Sequence, residues 1–114
     1  MTYSNAQQKF DLRLPANPDA VYRELVTVVT AGRYTHVETN EYTQSVSFKT
    51  KASMMTWGQK WIIQVTPETD GAARVNVTVT PKNGSQALDA SRIHKLADAL
   101  LKDLATALQS ATAH

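Results

Sequence analysis

The last third of the chain constrains everything before it. After Lys82-Asn83-Gly84-Ser85, the apolar residues Ile93, Leu96, Ala97, Leu100, Leu104, Ala107 and Leu108 recur at the spacing of one helix face. From Ser91 to Gln109 that helix is nineteen residues long, about 28 Å at a rise of 1.5 Å per residue. Asp89 or Ser91 is its expected N-cap. An apolar stripe of that length has to be covered by a surface of similar length. The chain has 114 residues, room for one domain and not two, so the cover must come from the residues before position 82. The expectation is one domain over 1–114 with an ordered core over about 9–109.

Those earlier residues read as strands and one helix. Between Lys9 and Leu14, Phe10, Leu12 and Leu14 alternate with Lys9, Asp11 and Arg13, the period of a strand with one buried face. Pro15 ends it. Asn17-Pro18-Asp19 then opens a helix, with Asn as N-cap, Pro where a missing N–H costs nothing, and an acid in the first turn. Val21, Leu25, Val28 and Val29 follow at helical spacing and Ala31-Gly32 stops them. The β-branched run Val26 to Thr30 pulls toward strand, yet the cap signals favour helix.

From Arg33 to Pro81 the chain reads as four strands. The first runs from Tyr34 to about Thr39 and turns at Asn40-Glu41. The second sets Val46, Phe48 and Thr50 against Ser47, Lys49 and Lys51. The third, Gln59 to Thr66, sets Trp61, Ile63 and Val65 against Lys60, Ile62 and Gln64. Asp70-Gly71 is a hairpin turn signal. The fourth sets Val75, Val77 and Val79 against Arg74, Asn76, Thr78 and Thr80. Clean alternation means an antiparallel sheet with one face covered and one wet. The fold class is therefore α+β, a single antiparallel sheet in the order β-α-β-β-β-β-α gripping a long C-terminal helix.

Composition excludes several chemistries. Without cysteine there are no disulfides, thiolate metal sites or cysteine nucleophiles. Twelve basic against ten acidic residues give a net charge of +2, too little clustered charge for a dedicated nucleic-acid binder. No long apolar run and no leader-like start is present, so a cytoplasmic protein with no membrane span is expected. His36, His94 and His114 lack metal-ligand spacing, and the four glycines stand apart, so no metal, phosphate loop or cofactor is expected. His94 and Asp98, four apart, read as a helical ion pair. Tyr34 and His36, two apart on one strand, should share a sheet face, where His36 could act as acid, base or ligand donor. Between Glu41 and Glu68 there is no carboxylate, while Lys49, Lys51 and Lys60 fall there with Met54, Met55, Trp57 and Trp61. That basic, apolar-tipped turn either packs on the core or forms the mouth of a groove or a contact with another subunit.

The order strand, helix, four strands, long helix resembles the small end of the helix-grip class, the Bet v1-like or START-like domains that include polyketide cyclase-like proteins. Ser53-Met54-Met55-Thr56-Trp57-Gly58 is similar to a Ser-x-x-Ser/Thr-Trp-Gly pattern of small bacterial domains. The chain departs from the class in having five strands rather than seven and one helix rather than two before the meander. The resemblance implies a sheet that grips the C-terminal helix and a space between them for an apolar or amphipathic small molecule. Ligand-facing candidates are Tyr34, His36, Phe48, Trp61, Ile63, Val77, Leu96 and Leu100, with Trp57 at the mouth. No catalytic residue is assigned. The alternatives are a cyclase- or hydrolase-like enzyme using His36 or Tyr34, and an interaction or homodimerisation domain with a filled core.

Overall fold

The computed structural model describes residues 8–32, 34–50, 59–81 and 86–112. Its elements are β1 (Gln8–Leu14), α1 (Pro18–Ala31), β2 (Thr35–Asn40), β3 (Ser45–Lys49), β4 (Gln59–Pro67), β5 (Ala73–Pro81) and α2 (Gln86–Thr112). The strands form one antiparallel sheet in the order β1-β5-β4-β3-β2. This is the expected α+β arrangement, with β1 returning beside β5 and both helices packed on the inner face. Leu14, Val46, Phe48, Trp61, Ile63, Val65, Val75, Val77 and Val79 are buried there, each placed by the alternation of its strand.

α1 forms where its cap signals place it. The Asn17 side chain accepts a hydrogen bond from the Asp19 N–H at 2.8 Å, and Pro18 stands in the first turn. The β-branched run is helical nonetheless, with Leu25 and Val29 on the buried face and the Thr27 and Thr30 hydroxyls donating to the carbonyls of Arg23 and Val26, at 3.1 and 2.8 Å, one turn back. Val21, Leu25 and Val29 are buried at intervals of four, and Tyr22, outside the expected stripe, is buried with them.

α2 is longer than the sequence suggests. It spans 27 residues, about 40 Å, so Asp89 and Ser91 lie inside its first turns rather than at its cap. Ile93, Ala97, Leu100, Leu104 and Leu108 carry the buried stripe. Leu96 leaves it and is 39% exposed, because at 100° per residue it sits roughly 60° around the helix from Ile93.

The β2–β3 pair corrects one expectation. Thr35 pairs with Lys49, and pairing resumes at Glu38 with Ser47, so three steps on β2 oppose two on β3. His36 takes up the extra residue with φ 54°, in the left-handed region. The alternation of the strand is thereby reset. Tyr34 and Val37 pack toward the core while His36 is exposed, so Tyr34 and His36 do not share a face. The turn that follows is held by Asn40, whose side chain accepts from the N–H groups of Tyr42 and Thr43. The Asp70-Gly71 turn forms as expected, with Gly71 at φ 84° and the Asp70 carboxylate accepting from the Ala72 N–H. No helix among the described residues is long and apolar enough to cross a membrane.

Candidate functional site

The inner face of the sheet carries an aromatic row. Phe48 lies opposite Trp61 across the β3–β4 pairing, and Trp61 opposite Val79 across β4–β5. The Phe48 and Trp61 rings stack at 5.7 Å between centroids with 16° between planes, and Tyr34 packs on Phe48 at 4.2 Å. Tyr34 reaches that position because the chain leaves α1 through Gly32. A Cβ there would stand 2.4 Å from the Tyr34 Cε2, so the close approach of the ring requires the glycine.

α1 packs on β2, β3, β4 and β5, and α2 on β1 and β5; the neighbours of α2 show which way each flank looks. The His94 ring meets Phe10 of β1 at 5.6 Å, which turns that flank toward β1. Leu96 and Asp103, seven residues apart, share the opposite flank. Burial first, and then the Asp103 charge, raise the Tyr34 hydroxyl above the ordinary tyrosine value. Tyr34 therefore stays protonated at neutral pH and presents a donor. Tyr34 is half-buried beside the buried Phe48, within electrostatic reach of Asp103 on α2.

Trp61 is 1% exposed, and its indole N–H has no hydrogen-bond partner. An indole nitrogen can only donate, and a buried donor without an acceptor costs about 1 to 3 kcal/mol. The Tyr22 hydroxyl, buried on α1, is likewise unpartnered. Lys49 and Lys60 oppose each other on the outer face, Arg13 and Arg74 alternate outward from Leu14 and Val75, and Arg23, Lys95 and Lys102 are exposed on the helices.

The nine sequence candidates separate into groups. Phe48, Trp61, Ile63, Val77 and Leu100 belong to one buried core, none more than 3% exposed. Tyr34 is half-buried at the edge of that core and Leu96 is exposed on α2. His36 stands apart, in a shallow depression of the outer face with Glu38, Ser47, Lys49 and Lys60. Trp57 lies outside the described residues, as do Met54, Met55 and Lys51. His94 and Asp98 form an exposed ion pair at 3.5 Å. No group of three or more potential metal ligands occurs among the described residues. Tyr22 and Asp103 are not among the sequence candidates, and Gly32 reads in the sequence only as a helix stop; a glycine two residues before a tyrosine is the one signal of its packing role.

No family model matches the chain, and no curated protein matches it. Solved structures do match it over nearly its whole length. A protein from Nitrosospira multiformis superposes with a TM-score of 0.71 at 10% identity, over 96% of this chain and 100% of the other. A member of the major latex protein family from Arabidopsis thaliana gives 0.69 at 12% identity, over 93% and 95%. The di-domain ARO/CYC protein BexL of the BE-7585A biosynthetic pathway gives 0.64 at 15% identity, over 90% of this chain and 45% of that one. Identities this low carry shape and not activity, and the shape agrees with the strand order and the gripped C-terminal helix: the chain has the helix-grip fold.

Proposed function

We propose that this chain is a small-molecule-binding module that holds an apolar or amphipathic molecule between the aromatic row and the Leu96 flank of α2, with Tyr34 at the entrance. The observation that carries this reading is the Trp61 indole N–H, buried without a partner on an otherwise apolar face. Shape supports it too, since Bet v1-like domains typically bind hydrophobic ligands. Tyr34 and Leu96 mark where that apolar face comes to the surface.

A second reading, an interaction or self-association domain with a filled core, is favoured by the near-complete burial of Phe48, Trp61, Ile63, Val77 and Leu100. For the alternative of an enzyme using His36 or Tyr34, the bulge leaves His36 on the other face from Tyr34, so the two do not form one site.

A screen of hydrophobic acids, acyl chains and polycyclic aromatics separates the two readings. Under the binding reading at least one compound shifts the Trp61 resonances together with those of Leu96 and Leu100, and raises the melting temperature by binding the folded state alone. Silence from every compound, with sedimentation showing self-association at micromolar concentration, would establish the interaction reading in its place.

A further inference from the structure

We propose that β1 is a dimerisation edge: two copies of this chain pair their first strands antiparallel about a two-fold axis at Phe10, with Lys9 of each copy opposite Asp11 of the other. The two sheets then run on as one. This pairing is independent of whether the core accepts a ligand.

The two edges of the sheet are not alike. β2, at one end, is interrupted by the bulge at His36. β1, at the other, pairs with β5 through all seven of its residues without a shift of register. A strand bonded on one side only turns alternate N–H and C=O groups outward, where a second strand can bond them. Among the described residues β1 meets no further strand, and beyond the β5 ladder its backbone bond is the Ala16 N–H on the Leu14 carbonyl. Apolar groups beside this edge are also left partly open. Phe10 and Leu12 are half-buried on the inner face, and so is Leu101, two turns on from His94 along the α2 flank that meets Phe10. A second copy seated on the edge covers them.

Charge identifies the partner and the register. Opposed residues of an antiparallel pair share a face, so a two-fold axis has to pass between two copies of one residue. An axis at Lys9, Asp11 or Arg13 sets that residue against its own copy, and like charges directly opposed are unfavourable. With the axis at Leu12, Asp11 meets Arg13, which Asp70 and Glu68 already hold, and Lys9 falls opposite Pro15. With the axis at Phe10, Lys9 meets Asp11 twice, once on each side of the Phe10 pair. Lys9 is exposed and makes no ion pair among the described residues. Asp11 has room for it, being 60% exposed while it holds Arg74 of β5 at 2.8 Å, and a carboxylate accepts from more than one cation. Such an edge closes on itself, because the pairing uses up β1 of both copies and leaves the bulged β2 outermost.

Sedimentation velocity at low salt, where surface charge is least screened, tests this on the full chain, on Lys9→Glu, on Asp11→Lys and on an equimolar mixture of the two variants. The wild-type chain is expected to pass from monomer to dimer as its concentration rises, and to go no further. Each variant alone sets like charges opposite each other twice and should weaken the dimer roughly tenfold. The mixture should recover it, because one of its two pairs has both charges exchanged and the other is untouched. Lys9→Glu breaks no ion pair of the chain, so the fold is kept. If Asp11→Lys, which takes a partner from Arg74, does not fold, a mixed-label sample of the wild type decides. Nuclear Overhauser contacts between Phe10 rings of labelled and unlabelled copies are expected there, and their absence overturns the proposal. A chain that is monomeric at every concentration, or a dimer that Lys9→Glu leaves unchanged or strengthens, would overturn it as well. Neither result bears on the ligand screen, whose readout is the Trp61 resonances.

Discussion

Gly32 and Tyr34 show how one missing side chain positions a rim residue. Gly32 has an ordinary backbone, φ −83°, so its need is space and not conformational freedom. Gly32→Ala should push the Tyr34 ring off Phe48 and cost about 1 to 3 kcal/mol, as overpacking does. In a Tyr34→Ala background the same change should cost far less, and a double-mutant cycle by chemical denaturation measures the difference. Tyr34 also reports its surroundings through titration. Folded Tyr34 keeps its proton to higher pH than unfolded tyrosine, so the unfolded state loses protons first and stability falls as pH rises past the ordinary tyrosine value. Asp103→Asn should bring the phenol titration down only part of the way, because burial is the larger cause. A Tyr34 titration unmoved by that change would separate Asp103 from the phenol.

Among the elements, α2 shows most directly what pattern can and cannot give. Its apolar stripe is plain in the sequence, and the four buried positions from Ile93 to Leu104 follow a simple helical spacing. Leu100→Ala or Leu104→Ala should each lower stability by about 2 to 5 kcal/mol. Leu96→Ala, off the stripe, should cost under about 1 kcal/mol, and equal losses at all three in urea melts would mean that the stripe is misassigned. The strands were legible for the same reason, since alternation reports which face is buried. The irregular features of the site were not. A bulge adds one residue with no composition of its own, and His36 sits in a strand that otherwise reads as regular. The helix start was misplaced because Asp89 and Ser91 are good caps that a longer helix simply runs past. Nor can any sequence show that Trp61 lacks an acceptor, because that depends on neighbours from β3 and β5 that meet only when the chain folds.

At the scale of the whole molecule, one end of the sheet is tied by charge. Arg13 pairs with Asp70, Arg74 pairs with Asp11 at 2.8 Å, and Glu68 touches Arg74 at 3.3 Å, which fastens the β4–β5 connection to β1. The Asp70 carboxyl is held below its usual range by the Ala72 N–H and then by the Arg13 charge. Whatever it contributes is therefore present at neutral pH and is lost as acid carries the pH down through its folded value. The other end of the sheet is governed by geometry. β2 is an outermost strand, and an outermost strand with a straight backbone is a template on which another chain can polymerise. The extra residue at His36 breaks that template near the start of β2, so the same bulge that turns the imidazole off the inner face should also hinder lateral growth. Deleting His36 should restore an even pairing of β2 with β3 and leave a flat border. That variant should form oligomers or thioflavin-binding fibres at concentrations where the parent chain stays monodisperse by light scattering, which would make the histidine a guard against fibril seeding.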